Sequence, residues 1–452
     1  MRVSIIGTGY VGLVSGACLA DRGHRVVCVD LDPAKVALIQ TATAPIHEAD
    51  LPELLARTCG TTLFATTDLR TAVLESDLTL IAVGTPYSGE HIDLTQIRSA
   101  ASAIGAALRD KAGYHVVVVK STVVPGTTRT VVAPLLEETS GKTAGVEFGV
   151  GMNPEFLREG NAVADFMYPD RIVVGGLDDR SQDAIALLYE SFPDVDILRT
   201  STDTAEMTKY AGNALLATLI SFSNEIGNLC EVLGTDVVDV MRGVHLDKRF
   251  SPLLADGTRV RPGLIEYLAA GCGYGGSCFP KDVRALIAHG RSVGEPMALL
   301  GAVAGINELQ PSRVTDLVRR GLADSGRSLD GARVAVLGVA FKPGTDDTRE
   351  SPSLVVIDEL LAAGAVVTAH DPIARIPEPR ISWASSVAEA VSAADAVVVM
   401  TTWSDYAGLR DHFEGSHEPL IVDARRFLDP TSYDSYVGIG YGTTPKAISR
   451  SA

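Results

Sequence analysis

The sequence lacks a long uninterrupted apolar segment. No stretch approaches the roughly 18 consecutive apolar residues that suggest a membrane-spanning helix. The N-terminus, MRVSIIGTGYVGL, is apolar, but its glycines fall at fixed offsets and the charged segment DRGHR follows it. This pattern is typical of a strand and a turn and not of a signal peptide. We therefore expect no membrane partner and a cytoplasmic protein.

Positive charge is also scarce. The chain carries 39 Lys and Arg against 56 Asp and Glu, which gives a net charge of −17 at pH 7. Such a surface repels nucleic acid and anionic lipid, so we expect no nucleic-acid partner. An anionic small-molecule ligand would depend on a few local basic contacts.

Cysteine is sparse and scattered. There is no CxxC motif and no histidine-rich partner segment, so neither a zinc site nor a disulfide framework is indicated and we expect no metal. Reduced thiols in a cytosolic enzyme are the simpler interpretation. The six cysteines are Cys18, Cys28, Cys59, Cys230, Cys272 and Cys278.

A chain of 452 residues is too long for one hydrophobic core, and two or three domains are expected. In residues 1–201, short runs rich in Val and Ile alternate with helical stretches, which is typical of parallel strands covered on both faces. The predicted strands are Arg2–Ile6, Arg25–Val29, Leu78–Ala82, His115–Val119, Phe148–Gly151, Arg171–Val174 and Asp196–Arg199.

The pattern changes at Thr202. Residues 202–234 predict one long helix that ends at Gly234, with Asp203 as its N-cap and Glu206 completing a capping box. We expect a helical middle domain over 202–325, broken by a Gly- and Pro-rich loop at 245–280. Strand–helix alternation then resumes over 326–440, and 441–452 predicts a flexible tail. The predicted fold class is therefore α/β, with two Rossmann-like, doubly wound parallel-sheet domains joined by the helical domain.

The first motif is Gly7-Thr8-Gly9-Tyr10-Val11-Gly12, a G-x-G-x-x-G between a strand and a helix. Its glycines permit a tight turn and the close approach of a pyrophosphate to a helix N-terminus. The second strand ends at Asp30, where a carboxylate accepts hydrogen bonds from a ribose 2′-OH and repels a 2′-phosphate. The pattern favours NAD over NADP; the alternative is a packing turn beside an incidental acid.

The second motif is Gly275-Gly276-Ser277-Cys278-Phe279-Pro280-Lys281-Asp282, a thiol between flexible glycines and an ionisable pair. Nearby positive charge favours a thiolate, and the carboxylate is a candidate acid–base partner. The alternative is a small buried side chain, as most cytosolic cysteines are. Cys272 is the competing nucleophile, but it lacks the flanking Lys and Asp.

Further polar positions are less specific. Glu206, Lys209 and Asn213 share one face of the long helix, which suits stabilisation of a developing oxyanion or simply a solvated face. The segment Asn153–Gly160 is a turn with two carboxylates. Basic residues follow strand ends in the C-terminal domain, where they predict either a phosphate-bearing ligand or surface charge; they are Lys342, Arg349 and Arg425.

Taken together, the motifs resemble the UDP-glucose/GDP-mannose 6-dehydrogenase family, and its UDP-glucose members most. The resemblance covers nearly the whole chain in order, and the combination of GGSCFPKD with NPEFLREG is its most specific part. The matching blocks are GTGYVG, VGTP, KSTVVPGTT, NPEFLREG, EMTKYAGNALLATLISFSNE, GYGGSCFPKD, AFKPGTDDTRESPS, HDP and TTWSDY.

The resemblance implies a role for each matching residue. The catalytic group would be Cys278, Lys209, Asn213, Asp282, Thr122 and Glu155. The NAD site would be lined by Gly7, Gly9, Tyr10, Val11, Gly12, Asp30, Lys35, Thr85, Thr122, Glu159 and Arg349. The nucleotide sugar would be held by Glu155, Phe156, Leu157, Lys209, Asn213, Arg249, Tyr267, Gly275, Phe341, Lys342 and Arg425.

The implied reaction is a four-electron oxidation of the sugar 6-CH2OH to a carboxylate, without a metal. Cys278 would trap the aldehyde as a thiohemiacetal and then carry a thioester, which water hydrolyses. UDP-glucose is the expected substrate and GDP-mannose the alternative. Two other hypotheses stay open: a simple NAD-dependent hydroxy-acid dehydrogenase and a non-catalytic cofactor sensor. A homodimer is also implied, with Arg249 reaching the neighbouring subunit's substrate.

Three departures from the family pattern stand out. Ala424-Arg425-Arg426 replaces the usual Gly-Arg-Asn and adds a cation near the nucleotide. Glu48-Ala49-Asp50 replaces Glu-Pro-Gly. The segment SPLLADGTRVRPGLI separates Asp247-Lys248-Arg249 from Tyr267, where many members have only a few residues. This insertion should lie at the substrate, so the base and the sugar are left open.

Overall fold

The computed structural model describes residues 1–413 and 418–442 of the chain. Internal contacts divide it into two units, Met1–Gly212 and Asn213–Ala452. The predicted boundaries at 201, 325 and 440 stay a prediction. Of the predicted tail, Tyr441 forms a β-bridge with Asp236, and residues 443–452 lie outside the described residues.

The first unit contains an eight-stranded sheet in the order β3-β2-β1-β4-β5-β6-β7-β8. The first six strands are parallel, and the chain direction reverses between β6 and β7, where Gly151 pairs with Gly176. β7 and β8, which are parallel to each other, therefore run opposite to the first six strands. The strands are β1 Arg2–Ile6, β2 Arg25–Val29, β3 Leu63–Thr66, β4 Leu78–Ile81, β5 Val116–Val119, β6 Gly149–Met152, β7 Arg171–Gly176 and β8 Asp196–Thr200.

Helices cover both faces of this sheet. Because successive side chains of a strand point to opposite faces, Val116 and Val118 of β5 join one apolar cluster and Val117 and Val119 join the other. A π-helical turn, Thr128–Val132, leads into α6. The helices are α1 Tyr10–Asp21, α2 Pro33–Gln40, α3 Leu51–Thr58, α4 Leu69–Glu75, α5 Thr95–Leu108, α6 Ala133–Ser140, α7 Ala162–Met167 and α8 Asp179–Ala186.

The predicted long helix is present as α9, Thr202–Leu233, and Gly234 follows it with a φ of 72°. The predicted capping box was wrong. The Thr204 N–H donates to Ser201 Oγ, one residue before the helix begins. Asp203 pairs with Arg129, and both Glu206 oxygens accept backbone N–H groups from the loop after β5. Both carboxylates therefore bind groups from the segment after β5 and not the backbone at the start of α9.

The second unit contains a six-stranded, all-parallel sheet in the order β11-β10-β9-β12-β13-β14. Apolar clusters again cover both faces, with Val334 and Val336 on one and Ala335 and Leu337 on the other. The strands are β9 Arg333–Leu337, β10 Val366–His370, β11 Ser382–Trp383, β12 Ala396–Val399, β13 Leu420–Asp423 and β14 Tyr436–Gly438. The helices are α10 Val237–His245, α11 Phe279–Ser292, α12 Ala298–Asp324, α13 Pro352–Ala362 and α14 Val387–Val391.

Both sheets begin with the strand order 3-2-1-4-5-6 of doubly wound dinucleotide-binding folds. The predicted fold class is thus confirmed. In each sheet the order reverses next to the first strand, so ligands are expected at the carboxyl ends of β1 and β4 and of β9 and β12. Across residues 1–413 and 418–442, no helix is both long and apolar enough to cross a membrane.

Candidate active site

The glycine turn after β1 has the geometry of a dinucleotide site. Gly7 has a φ of 99°, and a Cβ there would lie 2.6 Å from the Ala82 carbonyl oxygen. A Cβ on Gly12 would lie 2.0 Å from the Gly7 carbonyl oxygen, so only glycine lets α1 approach the turn this closely. Gly9 instead faces open space at the N-terminus of α1. The turn fits a pyrophosphate, which the helix N-terminus attracts.

Asp30 follows β2 at the same edge of the sheet. Its Oδ2 accepts the Thr8 hydroxyl at 2.5 Å and the Thr8 N–H at 2.9 Å, and its Oδ1 accepts the Asp32 N–H at 3.0 Å. Partial burial opposes ionisation, but these hydrogen bonds, with Lys35 nearby, hold the pKa of Asp30 below its ordinary value. An ionised, fixed carboxylate suits the predicted ribose contact.

The loops after the neighbouring strands are tied to one another. Thr85 donates its hydroxyl to the Thr122 carbonyl at 2.8 Å, which joins the ends of β4 and β5. The Gly160 N–H, next to Glu159, donates to both the Tyr10 hydroxyl and the Glu48 carboxylate at 2.7 Å. The structure therefore brings the predicted cofactor residues of the first unit to one sheet edge.

Glu155 and Lys209 form a buried ion pair in the first unit. Lys209 Nζ lies 3.0 Å from Glu155 Oε1, and Glu155 Oε2 accepts the Leu157 N–H at 2.7 Å. Burial alone would raise the pKa of Glu155, but the positive charge of Lys209, its hydrogen bond and the other contacts lower it. The Phe156 ring centroid lies 5.5 Å from Lys209 Nζ. Four predicted substrate residues are thus neighbours.

Lys120 belongs to this group and is not one of the site residues predicted from the sequence. It is 2% exposed, and its Nζ donates to Asn153 Oδ1 at 2.9 Å. Tyr189 donates to the same oxygen at 2.5 Å. Burial lowers the pKa of Lys120 to about 8, while the charge of Glu155 opposes that shift. The sequence feature that could have identified Lys120 is its place directly after the four consecutive valines of β5.

Cys278 is the N-cap of α11 in the second unit, and the Asp282 N–H donates to its carbonyl at 2.8 Å. The partial positive charge of a helix N-terminus favours an anionic thiolate at this place. The competing Cys272 is fully buried, with its Sγ 3.9 Å from the Met400 carbonyl, and burial raises the pKa of its thiol. The geometry therefore favours Cys278 as the nucleophile.

Asp282 is buried one helical turn beyond the thiol. Its Oδ2 accepts the Asn213 side-chain amide at 2.6 Å, and its Oδ1 accepts Lys281 Nζ at 2.5 Å. The side chain of Asp282 is 1% exposed, so these two partners offset the cost of burying its charge. Asn213, an expected oxygen-binding group, and Asp282, an expected proton carrier, are directly connected.

Two glycines let the loop after β9 pack closely against the segment that carries Cys278. A Cβ on Gly275 would lie 2.3 Å from the Glu350 carbonyl oxygen, and one on Gly276 would lie 2.9 Å from the Phe341 ring. The Gly276 N–H donates to the Arg349 carbonyl at 2.9 Å. The structure thus brings Phe341 and Gly275, two predicted substrate residues, to the segment that carries Cys278.

Arg425 follows β13 and is held by three backbone carbonyls, those of Met400, Gly273 and Phe341. Arg349 pairs with Asp347 at 2.8 Å, and Lys342 Nζ lies 5.7 Å from the Phe341 ring centroid.

The remaining predicted substrate residues lie on the loop before α11. The rings of Tyr267 and Phe279 are 6.2 Å apart. Arg249 pairs with Asp247, and its side chain is 84% exposed. Among the described residues, no group of three or more His, Cys, Asp or Glu side chains could hold a metal ion.

Three domain families match the chain in order. They are the NAD-binding domain of the UDP-glucose/GDP-mannose dehydrogenase family at residues 1–193, its central domain at 203–309 and its UDP-binding domain at 335–430. The NAD-binding match agrees with the glycine turn and with Asp30, and NAD is the cofactor.

Relatives match over most of the chain. UDP-glucose 6-dehydrogenase AglM from Haloferax volcanii is 43% identical and covers 97% of this chain and 100% of its own. GDP-mannose 6-dehydrogenase from Pseudomonas syringae is 42% identical over 82% of this chain and 81% of its own. The structure of a UDP-glucose dehydrogenase from Pyrobaculum islandicum superposes with a TM-score of 0.86, at 38% identity and 97% coverage of both chains. The chain belongs to the UDP-glucose/GDP-mannose dehydrogenase family.

Proposed function

We propose that this protein oxidises UDP-glucose to UDP-glucuronate through a thioester on Cys278. The observation that carries the proposal is the thiol at the N-terminus of α11, one turn before the buried Asp282–Asn213 pair, in a chain with an NAD-binding domain. NAD, when bound at the glycine turn and Asp30, supplies the hydride acceptor for each two-electron oxidation. One alcohol, two NAD⁺ and one water then give one carboxylate, two NADH and three protons.

The first task of the protein side chains is to trap the aldehyde. The Cys278 thiolate adds to the aldehyde carbon, a C–S bond forms, and the carbonyl oxygen becomes the thiohemiacetal oxygen. Lys209 and Asn213, one turn apart on α9, stabilise the negative charge on that oxygen. Asp282 takes the proton that the oxygen releases when hydride loss converts the thiohemiacetal to a thioester.

The second task is hydrolysis of the thioester. Water adds to the acyl carbon, the C–S bond breaks, and the carboxylate leaves as the thiolate is restored. Thr122 and Asp282 position the water, and Glu155 receives a proton from it. Lys209 and the other contacts keep the pKa of Glu155 below its ordinary value, so the carboxylate is ionised and has a free lone pair to accept this proton.

UDP-glucose is favoured over GDP-mannose by the coverage of the two curated relatives. The UDP-glucose relative aligns with 97% of the chain and the GDP-mannose relative with 82%, at nearly equal identity. The UDP-binding domain matches at residues 335–430, which include Phe341, Lys342 and Arg425. GDP-mannose remains the second candidate because the GDP-mannose 6-dehydrogenase relative is almost as similar in sequence to this chain as the UDP-glucose relative is.

A homodimer is part of the proposal. Leu215, Phe222 and Leu229 recur every seven residues along α9 and are 46–54% exposed. Leu299 and Leu309 of α12 are 67% and 68% exposed. A two-fold interface would cover such a stripe with a second copy of itself. Arg249, already exposed, would then reach the partner's substrate. All six cysteines are free thiols, which supports a cytoplasmic location.

The test is the NADH yield with limiting UDP-glucose. We expect two NADH per sugar and a uronic acid product. One NADH with an aldehyde or ketone product would support a simple dehydrogenase, no turnover of any nucleotide sugar would support a cofactor sensor, and turnover of GDP-mannose alone would select the second candidate.

The nucleophile is tested with a matched pair of variants. Cys278→Ser should bind substrate but fail to turn over, whereas Cys272→Ser changes a buried thiol outside the proposed chemistry and should remain active. The reverse result would reassign the nucleophile.

A further inference from the structure

Lys120 is a buried cation that the reaction proposed above does not use. It directly follows β5 and is 2% exposed. Among the described residues, its ammonium has one hydrogen-bond acceptor, Asn153 Oδ1 at 2.9 Å, and the Phe166 ring centroid lies 5.7 Å from Nζ. Removing an ammonium from water costs free energy that one bond to a neutral amide oxygen does not restore in full. The position of this charge therefore needs a further explanation.

The anchoring of Asn153 does not provide that explanation. Tyr189, just after α8, donates its hydroxyl to the same Asn153 oxygen at 2.5 Å. The Asn153 side-chain amide donates to the Val173 carbonyl at 2.9 Å, and its backbone N–H donates to the Val119 carbonyl at 2.9 Å. Neutral groups thus fix Asn153 on three sides. If anchoring were the only task, a neutral donor at the position of Lys120 would serve it at a lower cost of burial.

The charge of Lys120 acts on the buried ion pair of the first unit. Glu155 lies two residues beyond Asn153 on the same turn, and its Oε1 is 3.0 Å from Lys209 Nζ. Burial is the largest cause of the lowered pKa of Lys120; the negative charge of Glu155 raises that pKa, and the positive charge of Lys209 lowers it. The two ammonium groups and the carboxylate therefore form one electrostatic cluster.

The cluster has one more positive charge than negative charge. The pair of Lys209 and Glu155 alone is neutral, and its attraction for an anion is weak because the two charges nearly cancel. With Lys120, two cations face one carboxylate. An excess positive charge in a buried place is unfavourable until an anion forms beside it. The proposed reaction forms such an anion, the oxyanion on the reacting carbon, and groups that match it only then accelerate the reaction.

We propose that Lys120 is a positioning residue, whose charge offsets that of Glu155 and so leaves Lys209 with a net positive charge towards the oxyanion. Lys120 makes and breaks no bond and keeps its proton throughout. It acts through the Lys209–Glu155 pair and does not contact the substrate. The inference rests on the proposed function for the identity of the oxyanion, whereas the arrangement of the three charges is independent of it.

The experiment compares two variants of Lys120 with a matched control. Lys120→Met and Lys120→Gln both remove the charge, but glutamine retains a neutral donor for Asn153. The control, Tyr189→Phe, removes the other donor to the same Asn153 oxygen and changes no charge at neutral pH. Circular dichroism checks the folding of each full-length variant. NADH formation from UDP-glucose then gives kcat and KM separately.

We expect both Lys120 variants to lower kcat by about tenfold or more, because one charge that favours the oxyanion is lost. KM for UDP-glucose should stay within about twofold, since binding of the uncharged alcohol does not use that charge. Tyr189→Phe should keep nearly the full kcat. Full activity of Lys120→Gln, or an equal loss in Tyr189→Phe, would overturn the proposal, because either result would reduce Lys120 to an anchor for Asn153.

A second measurement needs no substrate. Glu155→Gln leaves two buried ammonium groups without a carboxylate in the unmodified protein but only one in Lys120→Gln. The decrease in urea midpoint that Glu155→Gln causes should therefore be smaller in the Lys120→Gln background. Equal decreases in both backgrounds would overturn the charge cluster. Failure of the proposed function would instead appear as no NADH from UDP-glucose in the unmodified protein, and the urea midpoints would still decide whether Lys120 and Glu155 are coupled.

Discussion

Lys209 Nζ and Glu155 Oε1 are 3.0 Å apart, and the two side chains are only 4% and 6% exposed. Burying an ion pair costs desolvation energy that a hydrophobic pair would not. A buried ammonium beside an ionised carboxylate therefore suits a catalytic role better than a stabilising one. The pair joins α9 to the loop after β6, so it also fixes where Lys209 lies.

The first prediction concerns the stability that depends on this pair. Glu155→Gln should lower the free energy of unfolding by about 3–5 kcal/mol at pH 7, because it leaves the buried Lys209 ammonium without its carboxylate. Urea denaturation measures the change. The control is Asp21→Asn, which breaks the solvent-exposed pair with Arg57 and should cost less than about 1 kcal/mol.

The difference in unfolding free energy between the unmodified protein and Glu155→Gln should change with pH in a defined direction. The pKa of Glu155 is lowered from its ordinary value of 4.5, so its stabilising contribution is complete above that value and is lost as pH falls through the lowered pKa. The two proteins should therefore converge in strongly acidic buffer. Equal losses for Glu155→Gln and Asp21→Asn at pH 7 would contradict the burial of the pair.

The second prediction concerns Lys120. Its pKa of about 8 in the fold lies below the ordinary 10.5, so between these values the unfolded chain binds more protons than the folded one. The free energy of unfolding should consequently rise with pH across this window, relative to Lys120→Met. Denaturation at several pH values measures the slope. Lys248→Met, at an exposed lysine, should follow the unmodified protein, and an identical slope for Lys120→Met would refute the assignment.

The third prediction concerns cofactor choice. Asp30 is ionised and fixed by Thr8, so it should repel the 2′-phosphate of NADP, and the unmodified protein should prefer NAD in kcat/KM. Asp30→Ala should lower the ratio of kcat/KM for NAD to kcat/KM for NADP by at least about tenfold, because one charge interaction with the 2′-phosphate is lost. Asp32→Asn removes a neighbouring carboxylate but retains an N-cap for α2, and it should keep the preference. Equal use of NAD and NADP by the unmodified protein would exclude a ribose contact at Asp30.

The fourth prediction concerns the proposed dimer. Arg249→Ala and Cys278→Ala should each be inactive, and mixing them under conditions that exchange subunits should restore activity. If Arg249 acts across the interface, a mixed dimer has one site with both lesions and one intact site. If it acts within its own chain, every site keeps one lesion. No recovery after verified exchange would remove Arg249 from the partner's site.

Several elements could be predicted because their signals are local. The glycine turn needs residues without a Cβ at Gly7 and Gly12, and α9 has a helical pattern of apolar residues that ends at a glycine. Strands covered on both faces appear as valine runs, of which β5 is the clearest. The strands β3, β11 and β14 escaped prediction because they are short and partly polar.

The sequence by itself determined the family and the fold class, because both are encoded in residues that are close together along the chain. Only the tertiary structure decided which partners the functional side chains have. Asn213 and Asp282 are 69 residues apart, and Gly126 and Glu206 are 80 apart, yet each pair is in hydrogen-bond contact. The same holds for Lys120, whose pKa shift is caused by burial. Burial and long-range contact depend on how the whole chain packs, and no local pattern records them.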